Sequence, residues 1–184
     1  MALVAPPPGA DSRTSPRAEA NRDGDQDSGS GTRVARRVLF ASSSGGHLSQ
    51  LLQLRPWWEH HQRQWVTFDL PDARSKLQGE DMVPANHPTT RNAGNFLRNL
   101  RLAWRVLRAF KPDVVISNGA GVALPFFMLA RAFGVPTIYI EVYDRIDSRT
   151  LTGRLCRPFT SRFLVQWPEQ LDLYAGSTLI GPLY

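Results

Sequence analysis

From Val38 onward, short apolar runs alternate with longer segments of helical periodicity, and this alternation constrains the fold most strongly. The apolar runs are too continuous for strands with one solvent-exposed face and are typical of strands covered on both faces. Strands are predicted at 38–41, 65–68, 82–84, 113–117, 137–141, 162–166 and 178–180, and helices at 48–60, 93–111, 121–133, 149–156 and 169–174. We therefore predict an α/β fold: a Rossmann-like parallel sheet with helices on both faces.

Residues 1–34 differ in composition from the rest of the chain. They contain a proline run at 6–8 and a run of Asp, Ser and Gly around 23–31, and almost no large apolar residue follows Val4. Such a segment buries too little apolar surface to offset the entropy lost on ordering, so we predict a disordered tail over 1–34. The remaining residues, 35–184, suffice for one Rossmann-like domain.

Several classes of protein are disfavoured by features that the sequence lacks. Cys156 is the sole cysteine, which excludes an intramolecular disulfide and a cysteine metal cluster. We expect no metal and no cofactor. The sequence shows no signal peptide and no apolar stretch of about 18 residues, the length that a membrane-spanning helix needs. A peripheral protein in the reducing cytoplasm fits these features.

The net charge of +6 favours an anionic partner such as a phospholipid, a diphosphate or a nucleic acid. The predicted helix 93–111 is strongly basic: Arg98, Arg101, Arg105 and Arg108 recur every three or four residues and share one face. Apolar residues, including Trp104, are expected on the opposite face. Such a helix can dock on an anionic membrane, or it can pack on the sheet with its arginines in water.

The loop after the first strand contains Ser44, Gly45, Gly46 and His47. Glycines allow a ligand to approach the backbone, and free N–H groups at a helix N-terminus attract anions. The loop has neither a full dinucleotide fingerprint nor the lysine of a P-loop, so a tight turn without a ligand is the alternative. His47 is expected where the strand ends, a position suited to a general base or to a hydrogen-bond donor to a phosphate. A structural role is the alternative.

A second loop of the same kind follows the β-branched strand 113–117. It contains Asn118, Gly119 and Gly121, and it again leads into a helix. Two such loops at one edge of a sheet can form a shared anion-binding crevice. Two independent turns are the alternative.

A third candidate position is Glu141, which ends an apolar strand and is followed by Asp144 and Arg145. A carboxylate at the carboxyl end of a strand suits acid–base chemistry or the binding of sugar hydroxyls. An ion pair between Glu141 and either Arg145 or Arg149 is the alternative.

These motifs occur in the same order in a known family. They are Ser-Ser-Gly-Gly-His at 43–47, Ser-Asn-Gly-Ala-Gly at 117–121, Ile-Glu at 140–141, Asp-Arg at 144–145, Leu-Thr-Gly-Arg at 151–154, Phe-Leu-Val-Gln-Trp-Pro-Glu at 163–169 and Gly-Pro-Leu at 181–183. Over residues 36–184 the chain resembles the acceptor-side, membrane-associated subunit of the two-part UDP-N-acetylglucosamine transferase of asparagine-linked glycosylation. It is also similar to the bacterial relatives of that subunit in polysaccharide biosynthesis.

The resemblance implies a GT-B glycosyltransferase divided between two chains, of which this chain resembles the N-terminal, acceptor-binding half. A separate subunit would bind the UDP-sugar, and this chain would be inactive or weakly active without it. The acceptor would be a sugar linked to a polyprenyl diphosphate at the cytoplasmic face of the plasma membrane. Eukaryotic members carry an N-terminal membrane helix where this chain has a polar tail, so membrane attachment would rely on amphipathic surfaces or on the partner.

The resemblance also implies roles for the three loops. MurG-type transferases, which carry both halves in one chain, have a Gly-Gly-His loop and a strand-end glutamate that match residues 45–47 and Glu141. The MurG-type loop begins with glycine where this chain has serine. The implied assignments are catalytic His47 and Glu141; diphosphate-binding Ser44, Gly45, Gly46, His47, Asn118, Gly119 and Gly121; acceptor-pocket Glu141, Asp144 and Arg145; and membrane-facing Arg98, Arg101, Arg105 and Arg108.

Two other functions are kept open. A self-contained nucleotide-dependent enzyme would need a dinucleotide fingerprint with an acid about twenty residues further on, and Asp69 is the acid nearest to that position. A nucleic-acid-binding module would use the basic helix with exposed aromatic residues beside it. Because the aromatics are expected on the opposite face, we predict no nucleic-acid partner.

Overall fold

The computed structural model describes residues 34–183, so the predicted tail at 1–34 lies outside the described residues except for Val34. In this part of the chain seven strands form one parallel sheet, in the order β3-β2-β1-β4-β5-β6-β7. The strands are β1 (Arg37–Ala41), β2 (Gln62–Phe68), β3 (Met82–Ala85), β4 (Val114–Ser117), β5 (Thr137–Ile140), β6 (Arg162–Val165) and β7 (Thr178–Leu179). The predicted parallel sheet is confirmed.

The strand order reverses between β1 and β4 at the centre of the sheet. The chain adds β2 and β3 on one side of β1, and then crosses to add β4 to β7 on the other. Leu39, Phe40 and Val115 in these two central strands are inaccessible to solvent, as expected where helices cover both faces. In sheets of this type, ligands bind at the carboxyl ends of the strands beside such a reversal.

Seven α-helices connect the strands of the described part. They are α1 (Gly46–Leu52), α2 (Arg55–Trp58), α3 (Pro71–Lys76), α4 (Ala93–Phe110), α5 (Ala123–Ala132), α6 (Leu151–Cys156) and α7 (Glu169–Leu173), with a 3-10 turn at Arg157–Phe159. The single helix predicted at 48–60 was wrong, because Pro56 lies in the first turn of α2 and cannot continue α1. Helix α3, which begins at Pro71, was not predicted.

Helix α4 agrees with its predicted bounds, and both of its ends are capped. The Asn92 side chain accepts a hydrogen bond of 2.9 Å from the Asn95 amide, which satisfies one free N–H of the first turn. Lys111 ends the helix in the left-handed conformation with φ of 50°. Pro112 follows immediately and cannot continue the helix.

The orientation predicted for Trp104 was wrong. Leu102, Ala103, Val106 and Leu107 form the buried stripe of α4, whereas Trp104 is 44% exposed. Trp104 is four residues from Leu100 and three from Leu107, so it was predicted to share a face with them. In the structure the buried face runs through Leu102, Ala103, Val106 and Leu107, and Trp104 lies outside it. Trp104 therefore lies beside the arginines of α4.

Two hydrophobic cores cover the two faces of the sheet. One core joins the sheet to α4 and α5 through residues such as Leu107, Phe126 and Phe127. The other joins it to α1, α2 and α3 through Leu48 and Trp58 among others. Within residues 34–183 there is no helix with both the length and the apolar character required to cross a membrane.

Candidate functional site

The loops after β1, β4 and β5 meet at one edge of the sheet because these strands are parallel neighbours. They enclose a cavity of about 230 Å³, called here the central cavity. Its wall consists of His47, Asn118, Gly119, Ala120, Tyr139, Val142, Asp144, Arg145, Thr150 and Thr152. The structure thus brings together predicted residues from all three loops.

His47 and Asn118 hold each other through two hydrogen bonds. The Asn118 Nδ2 donates to the His47 carbonyl at 2.7 Å, and the His47 Nδ1 lies 3.0 Å from the Asn118 carbonyl oxygen. A carbonyl oxygen can only accept, so Nδ1 carries the proton and Nε2 keeps its lone pair in the neutral ring. Burial lowers the pKa of His47, which favours this neutral form.

Two of the glycine amides predicted to bind a diphosphate already have partners. The Gly45 N–H donates to the Asp72 carboxylate of α3 at 2.8 Å, and the Gly119 N–H donates to the Ser117 hydroxyl at 3.1 Å. The amide cradle expected from the glycine pattern is therefore not open at these two positions. Asp72 was missed because no helix was predicted at 71–76.

Gly119 and Gly121 each lack space for a side chain, but for different reasons. Gly119 has φ of 113°, and a Cβ there would lie 2.9 Å from the Tyr139 hydroxyl, so a side chain is excluded at the cavity wall. A Cβ on Gly121 would lie 2.5 Å from the Thr89 Cβ. Gly121 is outside the central cavity, and its role in the structure is close packing against the segment before α4.

A second cavity, of about 500 Å³, lies against the other side of α1. Its wall consists of Gly46, Ser49, Gln50, Gln53, Tyr143, Trp167 and Leu183. The first turn of α1 thus separates two cavities, with His47 facing one and Gly46 the other. Ser44 belongs to neither wall.

Glu141 lies behind the central cavity and is fully buried. Its carboxylate accepts hydrogen bonds from the Val142 amide at 3.0 Å and from the Thr150 hydroxyl at 3.1 Å, and it is also hydrogen-bonded to the Tyr174 hydroxyl. Burial raises the pKa of this carboxyl group. The ion pair with Arg145 or Arg149 that was considered for Glu141 is not formed within residues 34–183.

The loop after β5 is held by two buried glutamines that were not recognised as functional residues. The Gln170 Nε2 donates to the carbonyls of Val142 at 2.9 Å and Arg145 at 3.0 Å. The Gln166 Nε2 donates to the Glu141 carbonyl at 2.8 Å. These bonds fix the loop that carries Asp144 and Arg145, both exposed, to the cavity. The Gln-Trp-Pro-Glu segment of the sequence was the available signal.

The basic face of α4 is exposed to solvent. Arg98, Arg101, Arg105 and Arg108 are exposed, and none forms an ion pair with a described residue. The Arg108 guanidinium lies 5.1 Å from the centroid of the Trp104 ring. The face therefore combines free positive charge with an exposed aromatic side chain.

Comparison with solved structures defines the class of fold. MurG of Acinetobacter baumannii superposes with a TM-score of 0.65 at 18% identity, over 81% of this chain and 46% of MurG. MnaA of S. aureus, solved with UDP, superposes with a TM-score of 0.61 at 11% identity, over 79% of this chain and 44% of MnaA. The chain spans just under half of each of these structures. It has the Rossmann-like fold of one half of a GT-B glycosyltransferase, as predicted.

Sequence comparison then shows the family. A family model described as "Oligosaccharide biosynthesis protein Alg14 like" matches residues 86–183. The UDP-N-acetylglucosamine transferase subunit ALG14 of Mus musculus is 25% identical over 182 residues, covering 81% of this chain and 83% of the relative. The subunit of Schizosaccharomyces pombe is 37% identical over 75 residues, covering 38% of this chain and 36% of the relative. The chain belongs to the family of Alg14-like oligosaccharide biosynthesis proteins, and the resemblance seen in its motifs is confirmed.

Proposed function

We propose that the chain is the acceptor-binding subunit of a two-component glycosyltransferase. A donor-binding partner holds a UDP-sugar, and the acceptor is a sugar linked to a polyprenyl diphosphate in polysaccharide or lipid-linked oligosaccharide biosynthesis. Family membership supports this, as does the name of the relatives, which are subunits of a UDP-N-acetylglucosamine transferase. The observation that carries the proposal is the His47 imidazole, which is held at Nδ1 by Asn118 on the wall of the central cavity.

In the proposed reaction His47 is the general base. Its Nε2 takes the proton of the acceptor hydroxyl while the hydroxyl oxygen attacks the anomeric carbon of the UDP-sugar. The bond between that carbon and the diphosphate oxygen breaks, and UDP leaves with the electron pair. The lowered pKa of His47 keeps Nε2 unprotonated near pH 7.

Acceptor binding is proposed to use the polar wall of the central cavity. Asn118 forms part of that wall, and it holds His47 through its Nδ2 and its carbonyl oxygen. Arg145, on the wall of the central cavity, supplies a positive charge for the diphosphate. Glu141 is assigned a positioning role, because its carboxylate holds the Thr150 hydroxyl at the cavity and is itself inaccessible.

Membrane attachment is proposed to use the exposed face of α4, at the cytoplasmic surface of the plasma membrane. The four arginines of this face attract anionic headgroups, and Trp104 suits the boundary between headgroups and acyl chains. Peripheral attachment here would bring a partner that holds the UDP-sugar to the lipid-linked acceptor. Exposed Trp104 beside Arg108 also suits nucleic-acid binding. Vesicle and nucleic-acid binding assays at the same salt concentration would distinguish a membrane-docking face from a nucleic-acid-binding face.

The test is sugar transfer from UDP-N-acetylglucosamine to a polyprenyl-diphosphate-linked sugar, measured with the chain, its partner and both together. Activity is expected only or mainly with both chains; full activity of this chain alone would contradict the two-subunit proposal. Replacing the base, His47→Gln, is expected to lower kcat about 10²–10⁴-fold. The matched control is His60→Gln, an exposed histidine outside the cavity, which should leave kcat unchanged.

The pH profile gives a second readout of the same base. Because burial lowers the pKa of His47 below 6.5 in the free protein, kcat/KM should fall on the acid side only below pH 6.5. A kcat that is unaffected by His47→Gln, or an acid limb that persists in that variant, would refute the role of His47.

A further inference from the structure

Three arginines converge on a pocket that the proposed reaction does not use. The pocket, called here the arginine pocket, has a volume of about 360 Å³ and lies between α6 and the end of α7. Its wall consists of Arg149, Arg154, Arg157, Leu173, Tyr174 and Ala175. Arg154 and Arg157 are three positions apart, on α6 and the turn that follows, which places them on one face.

The positive charge of this pocket has no acidic partner among the described residues. None of the wall residues is acidic, and no ion pair joins any of the three arginines to another residue of the segment 34–183. Like charges that are held together without a counter-ion repel one another, so an anion bound between them would be stabilised.

Neutral groups orient two of the three guanidinium groups. Arg157 donates a hydrogen bond to the Ala175 carbonyl, and its guanidinium carbon lies 5.2 Å from the centroid of the Phe163 ring. The Arg149 guanidinium carbon lies 5.9 Å from the Tyr174 ring centroid. Groups arranged in this way keep most of their N–H donors for a ligand and lose less entropy when it binds.

The arginine pocket and the central cavity are separate sites. They share no wall residue. Thr150 and Tyr174 lie between them, and the Thr150 amide donates a hydrogen bond of 3.1 Å to the Tyr174 hydroxyl. A ligand in one site therefore does not occupy the other.

We infer that the arginine pocket is a second anion site, which binds the phosphate group of a phosphate ester. Guanidinium groups match phosphate oxygens through paired, charge-assisted hydrogen bonds, and three of them suit a group with more than one negative charge. The volume is within the range of small-molecule sites, about 300–1,000 Å³, which leaves room for atoms beyond the phosphate. The phosphate comes either from a soluble ester or from a lipid headgroup, since exposed Leu151 and Leu155 flank Arg154 on α6.

The test for a soluble source uses the full ¹⁵N-labelled chain and pyrophosphate as the probe. Saturable shifts are expected for the amides of Ala175 and Gly176, and they report this pocket separately from shifts at Gly46 and Gly119. The double variant R149Q/R154Q removes two exposed side chains and is expected to weaken binding about tenfold or more, since each charge-assisted bond is worth roughly a factor of ten. The control R36Q/R162Q removes the same charge from exposed positions outside the pocket and should bind like the unchanged chain.

A second arm tests the lipid source. The same variants are sedimented with vesicles of phosphatidylcholine that contain phosphatidic acid. If R149Q/R154Q binds the vesicles more weakly than R36Q/R162Q does, the phosphate belongs to a lipid. If only the pyrophosphate shifts are lost, it belongs to a soluble ester. The inference is overturned if pyrophosphate does not shift the Ala175 and Gly176 amides and R149Q/R154Q sediments with vesicles like the unchanged chain, or if both variants bind each probe equally.

Discussion

Replacing Gly153 by alanine tests the buried cluster behind the central cavity. A Cβ at this position would lie 2.6 Å from the Glu141 Oε2, 2.8 Å from the Thr150 Oγ1 and 2.9 Å from the Tyr174 hydroxyl. These three groups hydrogen-bond to one another, so none can move away without breaking a bond of the cluster. Gly153→Ala is therefore expected to disrupt the support of the loop after β5.

The magnitude follows from three contributions. Overpacking a buried site costs about 1–3 kcal/mol. One broken hydrogen bond to a charged group costs about 1.5–3 kcal/mol. The helix preference of alanine over glycine offsets about 1 kcal/mol. The free energy of unfolding should fall by about 1.5–5 kcal/mol.

The assay is urea unfolding of the full chain, followed by far-UV circular dichroism. The control is Gly46→Ala, which is also in the first turn of a helix but whose added Cβ meets no atom within 4 Å. That variant should be as stable as the unchanged chain or slightly more stable. Equal midpoints for Gly153→Ala and Gly46→Ala would refute the proposed steric conflict.

Two further predictions concern the buried acid and the basic helix. Burial raises the pKa of Glu141 above 4.5, so the stability conferred by its protonated form is present below pH 4.5 and is lost as pH rises through the folded-state pKa. Relative to Glu141→Gln, the unchanged chain should lose free energy of unfolding over that interval. A difference in unfolding free energy between the two chains that does not change with pH would contradict this. In the second, R101Q/R105Q should bind anionic vesicles about 30-fold more weakly, at roughly 1 kcal/mol for each arginine, with the difference vanishing at high salt; equal binding at low salt would argue against docking through α4.

Features that depend on neighbouring residues in the sequence could be predicted. The apolar runs located all seven strands, and helix α4 was placed almost to the residue from its amphipathic pattern and from the proline that follows it. The break between α1 and α2 and the start of α3 were missed, although Pro56 and Pro71 were visible signals for both.

Features of the site that depend on direction and burial could not be predicted. The glycine loop was correctly expected at the carboxyl edge, but its Gly45 amide is bound by Asp72, which is distant in sequence and lies on an unpredicted helix. Glu141 was expected to face a ligand and instead faces Thr150 and Tyr174. A side chain at the end of a strand can point to either face of the sheet or into the loop, and its position in the sequence does not decide which.

The sequence by itself determined the parallel sheet, the order of its glycine turns and therefore the edge at which these loops meet. Periodicity and the geometry of parallel strands are local properties, and they are sufficient for that conclusion. Only the tertiary structure decided that His47 faces the cavity, that Glu141 is sealed behind it and that three arginines share a separate pocket. The physical reason is that exposure and hydrogen-bond partners come from segments that are far apart in the chain and meet only when the sheet is assembled.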